Sequence, residues 1–401
     1  MEPEQTTLLV IALGAFVVPL FSGRIGVPAA VGEIAFGLLV GPFVLGAVEE
    51  TAFFDFLAEF GFAFLMFLAG LELDFAGLER RGGRTLWVSA AVVSLTFGLA
   101  FLAARSVGWP PFFGIVLGAM SIGIVLVALR ETGAARSDFG QTVILVGSAG
   151  EFLTIIVFTL YGIVAVNGFG VVFIQQSLNL AAVFLVAYIV LRTLRLLVWW
   201  FPRWFSRMVE VEDPSEIGIR AGLALMVAFF AISELLGMEA ILGAFVAGAL
   251  FSFVFREKGI LEKKLAGLGH GFFIPVFFIH VGVSFDLASL GNPEIIPLLT
   301  QLLALSLLVK LIASLPLLAM GLGIRQISGA ALLLATPLTL LVAIAALGLE
   351  LGVLSELESA TVILAAAISA LIFPTAYRKL AGGTTKAEEP TVEATTSTAD
   401  H

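Results

Sequence analysis

The run LVGSAGEFLTIIVF, Leu145 to Phe158, holds one glutamate, Glu151, with no other charge for several residues on either side. A carboxylate in such a place can carry a proton or a small cation in turn, which is the chemistry of an exchange site. A charged group at mid-helix in a bilayer costs about 2.5–3.5 kcal/mol on insertion scales, and such groups face a bundle interior or a wet cavity along ion or proton paths. Ser148 and Thr154 fall one turn before and one turn after Glu151, so three oxygen-bearing side chains share one helical stripe. A desolvated cation needs such oxygens. The plainer alternative is a structural carboxylate that hydrogen-bonds two helices together.

Lys310 is the second charge out of place. It lies in TQLLALSLLVKLIASLPLLAM with about ten apolar or small residues on each side, too deep for its stem to snorkel to an interface. It requires a partner. Glu151 is the first candidate, and Glu33, Glu59 and Glu234 also fall in or near apolar runs. A buried pair that only fixes packing would explain these two residues as well as a transport role does.

Two further stretches carry breaks at the same depth. LGAMSIGIVLVAL places Ser121 and Gly123 mid-run, and ALLLATPLTLLVAI places Thr336, Pro337 and Thr339 there. Proline removes a backbone donor and disturbs the turn before it, while glycine lowers the barrier to unwinding. Freed backbone at membrane depth is tolerated where it lines a cavity. Two ordinary kinks are the alternative.

The elements that must position these residues follow from composition. Hydrophobic residues are 60% of 401 positions and charged residues 13%, against about 25% charged in soluble domains; the mean hydropathy is +1.09. This is the make-up of an all-α polytopic membrane protein. Cysteine is absent, so there is no disulfide or thiolate metal site. A net charge of -9 without a basic patch excludes nucleic acid as a partner. The three histidines, His270, His280 and His401, form no cluster, and no nucleophile motif or phosphate loop stands out, so an enzyme is not expected.

Apolar runs long enough to span a hydrocarbon core, about 20 residues each, fall near 5–22, 27–46, 54–74, 83–105, 109–130, 138–166, 171–200, 215–236, 239–255, 268–285, 293–322, 325–348 and 355–378. That predicts about thirteen transmembrane helices. Basic residues follow the odd-numbered runs: Arg24, the Arg80–Arg81–Arg84 group, Arg130 and Arg136, Arg203 and Arg207, the Arg256–Lys264 group, Arg325, and Arg378 with Lys379. Arg105 is the exception after an even-numbered run. Basic loops stay cytoplasmic, so the N-terminus is expected outside and the C-terminus inside a multi-pass plasma-membrane protein. MEPEQTT lacks a charged secretory n-region and is expected to belong to the mature chain. Residues 1–380 read as one membrane domain and 381–401, rich in Thr, Glu and Ala, as a disordered acidic cytoplasmic tail.

The breaks lie in the fifth and twelfth runs, seven apart, and therefore in helices of opposite direction. An inverted-topology repeat produces that relation, with a binding site at midplane beside the interrupted segments.

GVPAAVGEIAFGLLVGPFVLG from Gly26, FLAEFGFAFLMFLAGLELD ending at Asp74, LGMEAILGAFVAGALF from Leu236 and FFIPVFFIHVGVSFDL from Phe272 together resemble the monovalent cation:proton antiporters, in the branch of bacterial sodium/proton exchangers and glutathione-gated potassium efflux proteins. The resemblance covers nearly all of the membrane region. It implies a homodimer of thirteen-helix subunits, with a core bundle near 83–166 and 268–378 holding two crossed, broken helices. A dimerisation panel would come from the spans near 5–74 and 171–255. It implies an acidic pair on the helix after the first break, which falls here on Gly150 and Glu151, and a basic residue before the second break, at Lys310. The sequence departs from the pattern at Gly150, which has no side chain, at Glu151 in place of an aspartate, and at His280 where serine is common.

The resulting expectation is a secondary transporter that exchanges Na+ or K+ for H+ by alternating access, needs no cofactor and binds its cation at Glu151. Ser121, Ser148 and Thr154 would contribute oxygens. Lys310 would balance charge or serve structure. With one acid, the cycle is expected to move one proton per cation without net charge. A gated cation channel and a non-transporting sensor on the same fold are the alternatives. Glu33 and Glu59 are expected to bond neighbouring helices, Glu72 and Asp74 to cap the third helix, and Trp199 with Trp200 to anchor at the interface.

Overall fold

The computed structural model describes residues 3–48, 51–72, 82–168, 170–200, 216–236, 240–254, 259–285 and 291–382. Asp74, Arg80, Arg81, Arg203, Arg207, Arg256, Lys258 and the tail beyond 382 lie outside them. All regular structure among the described residues is helical. In chain order the helices are α1 (Pro3–Ile25), α2 (Ala29–Val40), α3 (Ala52–Glu72), α4 (Gly83–Ser106), α5 (Phe112–Gly118), α6 (Gly123–Glu131), α7 (Asp138–Asn167) and α8 (Val171–Trp200). There follow α9 (Ile217–Leu235), α10 (Ala240–Val254), α11 (Gly259–Leu268), α12 (Ile274–Val283), α13 (Ile295–Ala313), α14 (Ile324–Leu334), α15 (Leu338–Glu350) and α16 (Glu356–Gly382). α16 runs through Ala381 and Gly382, into the segment expected to be tail.

Among the described residues, ten stretches are long and apolar enough to cross a membrane, or eleven with the bent pair α14 and α15. α2 and the Leu242–Val254 part of α10 are apolar but shorter. The expected thirteen crossings are reached only when these two are counted.

Packing divides the helices into two groups. In the first, α3 lies along α10 and α12, α2 along α1 and α12, and α9 along α10. In the second, α4 packs on α5, α7 and α13, while α16 packs on α13, α14 and α15. Residues 268–283, expected with the second group, pack instead on α2 and α3. α7 joins the groups: the Phe152 ring lies 6.3 Å from Phe184 on α8 and 5.9 Å from Phe245 on α10.

Glycine makes the first group tight. A Cβ on Gly37 would collide with the Ile279 carbonyl, and one on Gly282 with the Ile34 carbonyl, so α2 and α12 touch through reciprocal glycines. Gly70 and Gly248 do the same for α3 and α10, against the Phe245 and Phe67 carbonyls. Such close backbone approach is how helices associate in lipid, where exclusion of apolar surface from water supplies no drive. In the second group, side chains tie helix ends together. Arg84 donates to the Ala319 carbonyl, Arg325 to the Leu380 carbonyl, and Arg378 meets Glu131 at 3.2 Å.

Candidate functional site

Both predicted breaks are present. The helix stops at Gly118, the chain is extended at Ala119 (φ -51°, ψ 137°), and α6 resumes at Gly123. The other span stops at Leu334 and restarts at Leu338 with a bend of 40°. There Pro337, at φ -83° and ψ 56°, is the centre of an inverse γ-turn closed by the Leu338 N–H on the Thr336 carbonyl at 2.9 Å. Thr336 turns its hydroxyl onto the Leu333 carbonyl at 2.6 Å, which also accepts from the Thr336 N–H at 3.2 Å.

Glu151 sits against the first break and is 2% exposed. Its Oε1 accepts from the Ser121 hydroxyl at 2.9 Å and its Oε2 from the Ile122 N–H at 3.2 Å. That N–H belongs to the first turn of α6, whose unpaired donors favour an anion. Ser121 Oγ also lies 3.4 Å from Thr339 Oγ1, so the two breaks meet side chain to side chain at the carboxylate.

The remaining predicted residues divide. Thr154 donates to the Gly150 carbonyl at 2.7 Å and accepts from the Met120 N–H at 3.4 Å; its hydroxyl fastens α7 to the break and keeps one lone pair free. Ser148 Oγ is buried with no hydrogen-bond partner. Gly123 opens α6, and a Cβ there would meet open space. Lys310, 1% exposed, donates to the Leu117 carbonyl at 2.6 Å. Among the described residues it forms no ion pair with a carboxylate. Leu117 is in the last turn of α5, where carbonyls lack partners and a cation is favoured. Lys310 therefore caps the half-helix on one side of the break, and Glu151 serves the half-helix on the other.

A cavity of about 670 Å³ opens between the two helix groups. Asp55, Glu59 and His280 line one wall, and Glu350, Glu356 and Ser359 the other. His280 Nε2 stands 3.0 Å from Asp55 Oδ1, which accounts for this histidine as the hydrogen-bonding partner of Asp55. Glu59 thus faces open volume. Glu151 does not line this cavity.

The family described as "Sodium/hydrogen exchanger, transmembrane" matches residues 11–380. The chain belongs to that family. It is a family of transporters and not of enzymes. The chain is 30% identical over 398 residues to the putative Na(+)/H(+) antiporter YjbQ of Bacillus subtilis, covering 93% of this chain and 62% of that protein. It is 27% identical over 379 residues to the Na(+)/H(+)-K(+) antiporter GerN of Bacillus cereus, covering 91% and 93%. The chain thus spans less than two thirds of the first relative and nearly all of the second. The sodium proton antiporter MjNhaP1 of Methanocaldococcus jannaschii, solved at pH 8, superposes with a TM-score of 0.64 at 16% identity, over 94% of this chain and 97% of that one. This likeness shows a shared fold.

Three groups around Glu151 and Lys310 escape a sequence reading. The Leu117 carbonyl and the Ile122 N–H are backbone groups, and only the general rule that freed groups must find partners pointed to them. Met120 is fully buried beside Gly150 and carries no charge to signal it.

Proposed function

We propose that this chain exchanges one monovalent cation, Na+ or K+, for one proton across the plasma membrane by alternating access, with Glu151 as carrier. The observation that carries this reading is a lone buried carboxylate held by Ser121 and Ile122 where two interrupted helices meet. A protonated Glu151 is neutral, and Glu151 bound to a monovalent cation is also neutral. Lys310 keeps its carbonyl partner in both states, so the moving part carries the same charge in either direction. An electroneutral cycle follows. Ser121 and Ser148 are the oxygens placed to join Glu151 around the cation, and Thr154 positions the break. The relatives' names support the ion choice: both are antiporters of Na+ and H+, and GerN's includes K+.

With Glu151 at 2% exposure, exchange requires conformations that open it to water. The cavity between the helix groups supports a movement of α4–α7 with α13–α16 against the rest, and the rest supplies the panel of a homodimer. We read the fold as two inverted halves of a thirteen-span chain. An offset of seven spans carries α2 onto α10 and α3 onto the α11–α12 span, so the glycine contact of α2 with α12 corresponds to that of α10 with α3.

Purified protein in vesicles, with a pH-sensitive dye inside and each alkali cation added in turn, tests the reading. Cation-dependent proton flux whose rate ignores an imposed membrane potential is expected. Flux that follows the potential would overturn electroneutrality, cation flux without proton movement would indicate a channel, and cation binding without flux would indicate a sensor.

A further inference from the structure

We infer that Met120 sets the size of the cation that Glu151 accepts, by filling the space that Gly150 leaves at the side of the site; this rests on Glu151 as the carrier. Met120 is the residue before Ser121, which donates to Glu151, and none of its surface is exposed. A Cβ added to Gly150 would collide with the terminal methyl of Met120 and would stand 2.7 Å from its sulphur and 3.0 Å from its Cβ. The thioether therefore occupies the place that any side chain at 150 would take.

The main chains are fastened there as well. The Met120 N–H donates to Thr154 Oγ1, and Thr154 donates on to the Gly150 carbonyl, so methionine and glycine are held as a fitted pair across the break and α7. Chemistry makes this wall distinct from the others. Alkali cations are hard and take oxygen ligands, whereas a thioether suits soft metals and excludes water. On this side the cation finds neither a ligand nor room to keep a hydrating water. Oxygens lie elsewhere around Glu151, on Ser121 and on Ser148, whose hydroxyl is buried and free. A wall that forces dehydration on one side discriminates by ionic radius.

Shortening Met120 to alanine opens room for about one water molecule and lets a larger or partly hydrated cation fit. In vesicles, Met120→Ala is expected to bring the ratio of apparent KM for Rb+ to that for Na+ down by about tenfold, the scale on which pockets separate substrates by size. Gly150→Ala should lose most exchange, and Met120→Ala/Gly150→Ala should regain it. Glu151→Gln is measured alongside. An unchanged KM ratio in Met120→Ala, or equal slowing for every cation, with Glu151→Gln inactive, overturns the role of Met120 and leaves the carrier standing. Exchange in Glu151→Gln overturns the carrier and this inference together. Should Gly150→Ala not fold, the KM ratio in Met120→Ala still decides.

Discussion

Replacing Glu151 by glutamine separates the chemistry of this site from its packing. The carboxylate accepts two hydrogen bonds, from Ser121 at 2.9 Å and from Ile122 N–H at 3.2 Å. An amide of the same shape can keep both partners: its oxygen takes the Ile122 N–H and its NH2 donates to Ser121, whose hydroxyl then turns towards Thr339 Oγ1, 3.4 Å away. The second amide N–H alone gains no partner, at a cost of about 1 kcal/mol and a Tm shift of about 4 °C at most. Function has no such compensation, because an amide takes up no proton at working pH. It also loses the attraction of a full negative charge for a cation. At about 2.5 Å and an effective dielectric of about 20, that attraction is about 7 kcal/mol, or about five orders of magnitude in affinity. Glu151→Gln is therefore expected to melt like the wild type in detergent and, in vesicles, to show only the proton leak of protein-free membranes with every alkali cation. Cation-dependent exchange in a variant with unchanged Tm would refute the assignment of Glu151 as carrier.

Lys310→Ala removes the charged donor of the Leu117 carbonyl and leaves a void, and is expected to destabilise by about 2–4 kcal/mol, with exchange slowed for all cations and not abolished; total loss of flux at unchanged Tm would place Lys310 in the ion site itself. Gly282→Ala drives a Cβ into the Ile34 carbonyl and within 2.8 Å of the Leu38 nitrogen, backbone atoms that cannot step aside. It should destabilise by about 3 kcal/mol or more, whereas Gly98→Ala, which meets nothing within 4 Å, should be neutral or gain up to about 1 kcal/mol. Equal Tm shifts for the two would discount the glycine contact between α2 and α12. Asp55→Asn removes the partner of His280 at a water-exposed wall, and its effect on unfolding should stay under about 1 kcal/mol.

What could be read in the sequence follows from what the bilayer punishes. Long apolar runs, a charge within one, and proline or glycine at depth each violate or satisfy a strong constraint, so the helices, Glu151, Lys310 and both breaks were visible at once. α2 and α10 were read as spans near 27–46 and 239–255, and the described helices there are shorter, Ala29–Val40 and Ala240–Val254. Lys310 illustrates the limit. Its burial announced a partner, and charged side chains were the visible candidates, yet the broken helix itself supplied the acceptor at Leu117. Side-chain inventories overlook carbonyls, which every residue carries and only a break sets free. Thr154 shares the stripe of Glu151 as expected, but its hydroxyl bonds Gly150 and Met120, with one lone pair left over. The grouping of residues 268–283 with α2 and α3 depends on reciprocal glycine contacts, and no periodicity in a uniformly apolar run says which face meets which neighbour.

The separate placement of the two buried charges has a consequence for exchange. Were Lys310 bonded to Glu151 directly, its ammonium would occupy the oxygens that a cation needs, and every binding event would first have to break an ion pair in a dry site. Seated on the Leu117 carbonyl, Lys310 instead offsets the orphaned end of α5, and Glu151 offsets the start of α6. Each charge is solvated by one half of the same broken helix, so α5, α6, α7 and α13 are tied together at the first break. In the proposed cycle, what changes with occupancy is the Ser121 hydroxyl. It donates to a bare carboxylate, and must turn its oxygen towards a bound cation. Ser121 is also the residue that touches Thr339 at the second break. In the proposed cycle a change of ion at Glu151 is thus felt through Ser121, where the side chains of the two breaks touch, while Lys310 keeps its bond to Leu117.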